Sequence, residues 1–262
     1  MDYAVVGGDA RFAYLTRLLD SCGRDARAVN GAKCGVNVLT AEFDELKQAK
    51  NVVMNWPEPD GERILEMLSP GTRIFTCGPG APEGISCIDL WKDERLLTDN
   101  AWLTAEGAVS AAMSAGNASL KDCRCLVVGW GRIGKALTEL LIGMHAKVTV
   151  ASRSDKGRNC AAERGADVVS TYRLAEAAGG KEIIFSTPPE RVFTEMELKH
   201  ADPGTMVIDL SSAPFGVDLE AARRLNLRAW REPKLPGRYC PFSAARALLQ
   251  AILRAERMNA DE

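Results

Sequence analysis

Gly129, Gly131 and Gly134 stand in Val128-Gly129-Trp130-Gly131-Arg132-Ile133-Gly134, the G-x-G-x-x-G spacing that seats a pyrophosphate. The first glycine allows a tight turn. The second leaves room for the backbone to touch phosphate, and the third lets a helix pack closely on the preceding strand. N–H groups and the dipole at the new helix's N-terminus hold the anion. Trp130, Arg132 and Ile133 lie inside the turn and join the glycines as expected cofactor-binding residues.

The context strengthens the spacing. A short apolar run precedes it, an apolar helical pattern follows at Ile133, Leu137, Leu140 and Leu141, and Lys147–Ala151 reads as a second strand. This is a complete βαβ unit. NAD-binding versions place an acid at the end of that second strand, about twenty residues on, for the ribose hydroxyls. Here the chain reads Ala151-Ser152-Arg153-Ser154 and its first acid, Asp155, comes late. A guanidinium between two hydroxyls suits a 2′-phosphate, which a carboxylate would repel. The expectation is NADP(H) rather than NAD(H), held by Ser152, Arg153 and Ser154. The plainer alternative makes Arg153 a solvated loop residue and Asp155 a helix cap.

Four other stretches carry polar chemistry at expected strand ends or domain junctions. In Gly7-Gly8-Asp9-Ala10-Arg11 the N–H groups and Arg11 suit a carboxylate, unless Asp9 simply caps the next helix. Thr104 and Glu106 open an expected small-residue helix from Thr104 to Ala115, closed by Gly116-Asn117, as cap and first-turn acid or as part of a site. Ser186-Thr187-Pro188-Pro189 ends a buried strand in a stiff turn, expected beside the nicotinamide. Asp209–Pro214 and Lys234–Arg238 add a further polar turn and two cations. His145 and His200 both fall in turns leading into strands, so a histidine taking a hydroxyl proton has no candidate here.

These residues need strand ends to hold them, and the pattern supplies them. The 262 residues are 46% hydrophobic with net charge −2, enough for two modest domains. Strands are expected near Ala26–Val29, Asn51–Met54, Arg73–Thr76 and Ser86–Ile88, with helices at Ala41–Ala49 and Gly61–Leu68. Later strands are Asp167–Ser170, Glu182–Ser186, Thr205–Leu210 and Leu227–Trp230, closed by an amphipathic helix at Phe242–Met258. Alternating strands and helices imply an α/β fold of two Rossmann-like domains with parallel sheets. The expected division is an N-terminal substrate or partner domain at 1–100, with the helix of 241–262 packing back onto it, and a C-terminal NADP-binding domain at 101–240. Ligands sit beyond the carboxyl ends of the strands, so the substrate is expected in a cleft where both sets of ends meet.

Composition excludes other classes. No basic run points to nucleic acid or anionic membrane, and no apolar run is long enough for a bilayer. Met1 leading directly into a strand predicts no secretory leader. Eight cysteines without a C-x-x-C pair, and only two histidines, predict no metal site and reduced thiols in a cytoplasmic setting.

Taken together these motifs resemble the A-component family of dipicolinate synthase. The matching pieces are V-V-G-G-D-A-R at Val5–Arg11, T-A-E-G at Thr104–Gly107, V-G-W-G-R-I-G at Val128–Gly134, A-S-R-S at Ala151–Ser154, I-D-L-S-S-A-P at Ile208–Pro214 and L-P-G at Leu235–Gly237. The resemblance implies oxidation of a hydroxytetrahydro- or dihydrodipicolinate to pyridine-2,6-dicarboxylate with NADP⁺. It also implies a flavoprotein-like partner, the B component of dipicolinate synthase, and the mother cell of a spore-forming bacterium as location. Self-association stays open. On this reading Glu106 is the catalytic base, positioned with Thr104 and Thr187. The small dicarboxylate substrate docks at Gly8, Asp9 and Arg11, and at Lys234 and Arg238. Where such proteins carry an A-P-x-T-A-G-like run, this chain has Arg238-Tyr239-Cys240-Pro241-Phe242. That departure leaves two alternatives: a reductase of another small carboxylate or imino acid, and a non-catalytic NADP(H)-binding component.

Overall fold

A computed structural model describes residues 1–29, 35–116 and 118–260. Cys34 and Asn117 lie outside the described residues, as do the last two positions of the expected C-terminal segment. The chain divides into two compact units, Met1–Asn100 with Pro236–Glu262, and Ala101–Leu235. The expected boundary at 240/241 falls slightly further along, within the turn joining the last two helices.

The first unit contains β1 (Tyr3–Val6), α1 (Ala10–Ser21), β2 (Ala26–Val29), β3 (Asn51–Asn55), α2 (Gly61–Met67), β4 (Arg73–Cys77) and β5 (Ile88–Asp89). All its strands pair in parallel, in the order β2-β1-β3-β4-β5. A parallel sheet is covered on both faces, so its strands are apolar throughout. Tyr3, Val5 and Val53 face one core with α1, while Ala4, Val6, Val52 and Met54 face the other. Helix α3 (Glu94–Gly116) runs on across the unit boundary.

The second unit continues with β6 (Arg124–Val128), α4 (Arg132–Gly143), β7 (Lys147–Ser152), α5 (Asp155–Ala162), β8 (Asp167–Ser170), α6 (Leu174–Ala178) and β9 (Ile183–Ser186). It is completed by α7 (Glu195–Leu198), β10 (Met206–Asp209), α8 (Leu219–Arg224) and β11 (Arg228–Arg231). These six strands are also parallel, in the order β11-β10-β9-β6-β7-β8. Helix α9 (Leu235–Tyr239) leads into α10 (Pro241–Ala260). The fold is α/β with two Rossmann-like units, the glycine motif lying in the C-terminal one.

Helix α10 returns to the first unit as its pattern implied. Ala245, Leu248, Leu249 and Ile252 are buried against α1, and the Tyr14 and Phe242 rings meet edge-on at 5.6 Å. Its far end is tied by charge. Glu256 accepts the Tyr3 hydroxyl and pairs with Arg73 at 3.3 Å and Arg24 at 3.5 Å. Burial, then the Glu256 bond, pushes the Tyr3 hydroxyl pKa upward, so it stays protonated as a donor.

Three sequence expectations need correction. The segment read as a helix at Ala41–Ala49 is a 3₁₀ helix at Phe43–Gln48, its start closed by a capping box between Glu42 and Glu45. The strand expected at Ser86–Ile88 is only Ile88–Asp89, paired with Phe75 and Thr76 of β4. The bridging helix starts near Glu94 rather than at Thr104. Asp93 supplies its cap, its Oδ1 accepting the N–H groups of Arg95 and Leu96 at 2.9 and 3.0 Å. Thr104 and Glu106 are therefore mid-helix residues, not a cap and a first-turn acid. Burial opposes the Asp93 charge, but Arg254 at 2.7 Å and the cap bonds hold its pKa below the usual carboxylate value.

The apolar seam of α10 predicts a graded response. Ile252→Ala should lower unfolding free energy by roughly 2–5 kcal/mol, because a buried side chain is deleted against α1. The exposed Met258→Ala should stay within about 0.5 kcal/mol. Urea unfolding of both variants measures the difference.

Candidate functional site

The turn leaving β6 lies where the strand order reverses, with β9 on one side and β7 on the other. Ligands of open α/β sheets bind at such a reversal. Its three glycines divide the work by contact. Gly129 has φ +98°, and a Cβ there would meet the Thr187 hydroxyl at 2.4 Å. A Cβ on Gly134 would stand 2.1 Å from the Gly129 carbonyl oxygen, so helix and turn touch backbone to backbone. Gly131 has nothing within 4 Å of where its Cβ would stand. It is the N-cap of α4, and no side chain caps that end. One glycine is needed for the bend, one for packing, and one faces open space.

That space is a groove of about 440 Å³. Gly129, Trp130 and Gly131 form one side, Ser152, Arg153 and Ser154 the end of β7, and Thr187, Pro188 and Glu190 the opposite wall. The structure thus brings most of the expected cofactor residues together. Arg132 and Ile133 occupy the first turn of α4, with Arg132 exposed. Ser186 is buried and does not line the groove; a Cβ on Gly216 would stand 2.3 Å from its hydroxyl. Thr187 donates its hydroxyl to the Val128 carbonyl at 2.8 Å and locks the turns after β6 and β9 together.

The end of β7 is braced by a residue that sequence reading missed. Arg158 donates to the carbonyls of Ser152 at 2.6 Å and Arg153 at 3.0 Å, and pairs with Asp155. Helix α5 is capped by Ser154, whose hydroxyl accepts the Gly157 N–H at 3.1 Å; Asp155 is not the cap. Arg153 is exposed and pairs with Glu190 at 3.0 Å. The only sequence signal for Arg158 was its place one turn beyond the serines.

In the first unit, the turn leaving β1 also sits at a reversal of strand order. Asp9 caps α1 through the Arg11 N–H at 3.0 Å and holds the Arg11 guanidinium through Nε at 2.9 Å and Nη2 at 2.6 Å. Burial works against the Arg11 charge, but the Asp9 bonds outweigh it and raise its pKa. Gly237 lies on this pair: a Cβ there would be 3.0 Å from Arg11 Nε and 3.3 Å from Asp9. The G-G-D-A-R and L-P-G motifs, at opposite ends of the chain, therefore form one corner. Gly8 beside them is exposed, with open space around it.

Other expected residues fall elsewhere. Lys234 belongs to the second unit and is exposed with φ 56°, whereas Arg238 belongs to the first and lies 5.3 Å from the Tyr239 ring centre. Thr104 is buried in α3, and Glu106 accepts the Trp102 indole N–H at 3.0 Å. Asp209 is buried and accepts from the Ser211 hydroxyl at 2.6 Å and from the Gly216 and Val217 N–H groups, tying the loop after β10. His145 and His200 are exposed. A second cavity of about 330 Å³, lined by Arg124, Lys181 and Glu182, opens at the amino ends of β6 and β9, away from the glycine turn. Among the described residues no group of three or more ligating side chains is placed for a metal, and no helix is long and apolar enough to cross a membrane.

Comparison with known proteins converges on these same elements. The family model described as NADP oxidoreductase, coenzyme F420-dependent, matches residues 124–213. A curated relative, the A component of dipicolinate synthase from Bacillus subtilis (strain 168), is 26% identical over 165 residues. The chain is similar to the A component of dipicolinate synthase. The alignment covers 63% of this chain and 56% of that relative. The crystal structure of the same component from Bacillus halodurans superposes with TM-score 0.83 at 21% identity, over 97% of both chains. Its Bacillus subtilis counterpart gives 0.82 at 23% identity, over 100% of this chain and 98% of that one. At these identities the dipicolinate synthase structures establish the fold. The matched NADP-oxidoreductase model spans β6 through β10, and so includes every wall of the groove. The C-terminal unit is a pyridine-nucleotide-binding oxidoreductase domain.

The division of labour among the glycines predicts two different failures. Gly131→Ala should keep stability within about 1 kcal/mol, an N-cap-sized effect, while weakening nucleotide binding at least tenfold. Gly134→Ala should lower stability by roughly 1–3 kcal/mol through overpacking against a carbonyl. Nucleotide titration and urea unfolding of both variants read the two effects separately.

Proposed function

We propose that the chain is an NADP-dependent dehydrogenase that forms pyridine-2,6-dicarboxylate from dihydrodipicolinate, or from hydroxytetrahydrodipicolinate once it has lost water, acting as the A component of a dipicolinate synthase beside a flavoprotein-like B component. The observation that carries this reading is the corner in which Gly237 of L-P-G lies on Asp9 and Arg11 of G-G-D-A-R. It gives the first unit a fixed guanidinium at a strand-order reversal, the chemistry a carboxylate substrate needs.

The groove fits the cofactor. Gly131 leaves its backbone open to a pyrophosphate, and Ser152, Arg153 and Ser154 present a guanidinium and hydroxyls where a 2′-phosphate belongs. When bound, NADP⁺ supplies the acceptor for the electron pair. The remaining work falls to this chain. Asp9 takes Nε and Nη2 of Arg11, fixing the plane of the fork, so Arg11 docks one substrate carboxylate through Nη1 beside the Gly8 N–H. Lys234 and Arg238 serve the second carboxylate. Glu106 takes the proton released as the ring becomes aromatic, with Thr104 and Thr187 positioning. Because aromatisation drives the reaction, orientation matters more than a strong base.

A second reading, a reductase of another small carboxylate or imino acid, keeps the same groove and corner. The Arg238-Tyr239-Cys240 segment, which ends α9 and leads into α10, favours it, since that run departs from the A-P-x-T-A-G-like pattern.

Turnover followed at the reduced-nicotinamide absorbance, with dihydrodipicolinate against other cyclic imino acids, tests the assignment. Arg11→Ala should raise KM about 10- to 100-fold with kcat largely kept, the mark of a lost binding contact. Glu106→Gln should lower kcat about 10²- to 10⁴-fold. NADP⁺ affinity should hold in both variants. A precursor that is never turned over would refute the reaction, and an unchanged KM in Arg11→Ala would refute the dock.

A further inference from the structure

We propose that Glu190 is a counter-ion that sets how strongly the groove prefers the phosphorylated nicotinamide nucleotide. This rests on the reading that the groove holds such a nucleotide, and it names the residue that tunes the choice.

Glu190 comes from the turn after β9, not from β7, yet both its carboxylate oxygens face Arg153, at 3.0 and 3.3 Å. Both residues line the same groove. The neighbouring cations have other work. Arg158 is spent on the carbonyls of Ser152 and Arg153, and Arg164 lies over the Trp130 ring at 5.6 Å. Arg153 lines the groove itself, with its guanidinium on Glu190 alone among the described residues at that wall. Its side chain is 74% exposed and that of Glu190 47%. A pair this open to water is weak and readily exchanged.

The consequence follows from charge. A 2′-phosphate carries close to two negative charges and several acceptor oxygens, so it out-competes one carboxylate for a planar fork. Engaging the phosphate therefore means giving up the Glu190 pair, and that loss is set against binding. The unphosphorylated nucleotide leaves the pair intact and meets no such penalty. Glu190 thus narrows a preference that Arg153 and the two serines create.

Calorimetric titration of the whole chain with NADP⁺ and with NAD⁺ tests this, using wild type, Glu190→Gln, Arg153→Ala and the double variant. Glu190→Gln should tighten NADP⁺ binding about threefold to fivefold, the upper size of an exposed charge pair, and leave NAD⁺ within about twofold. The gain should vanish when Arg153 is already alanine and shrink as salt is raised. Weaker NAD⁺ binding in Glu190→Gln would make Glu190 a ribose ligand and overturn the proposal. So would a gain that survives the loss of Arg153. If wild type bound neither nucleotide, the underlying reading would fall with it. Binding of both with an unaltered ratio would sink only the role of Glu190.

Discussion

Helix α4 leaves β6 with its third glycine pressed on the carbonyl of the first, and no side chain fits between them. This backbone contact fixes where the N-terminus of α4 points relative to the ends of β6 and β7. The Thr187 hydroxyl then crosses to the Val128 carbonyl, so the turn after β9 is registered against the turn after β6. A groove wall contributed by three separate strand ends needs such ties, because loops alone do not hold polar groups to sub-ångström precision. The Arg158 bonds to the Ser152 and Arg153 carbonyls do the same for the end of β7.

The first unit solves a related problem with residues from both ends of the chain. Its turn after β1 presents Asp9 and Arg11, but the corner is completed only when α9 brings Gly237 onto them. What holds α9 there is the helix that follows. The buried seam of α10 against α1, with Glu256 bridging Tyr3, Arg24 and Arg73, anchors the C-terminal segment to the sheet that carries Asp9. Core packing in this unit thus also positions a polar site.

Much of this was legible in the sequence because it is local. The glycine spacing, the apolar runs of β1, β6 and β9, and the seam of α10 each express a period or a turn that a short window contains. What was misread depended on partners far along the chain. Thr104 looked like a cap because it precedes an alanine-rich run, but Asp93 caps the helix eleven residues earlier and is held there by Arg254. Ser186 looked like a groove hydroxyl, yet Gly216 lies over it. Glu190 gave no signal, since only the folded sheet carries the β9 turn to the end of β7.

The carboxylates form a graded series, and the gradient separates scaffold from site. Asp209 is buried and receives four hydrogen bonds from Ser211, Gly216 and Val217, so withdrawing it would strand donors in the interior. Asp9 is partly buried and divides itself between a helix cap and the Arg11 fork, which keeps Arg11 oriented. Glu190 is open to water and contacts Arg153. Burial raises the cost of breaking each contact in that same order. A ligand anion arriving at this chain would therefore compete last with Asp209 and first with Glu190, and the weakest of the three pairs is the one lining the nucleotide groove.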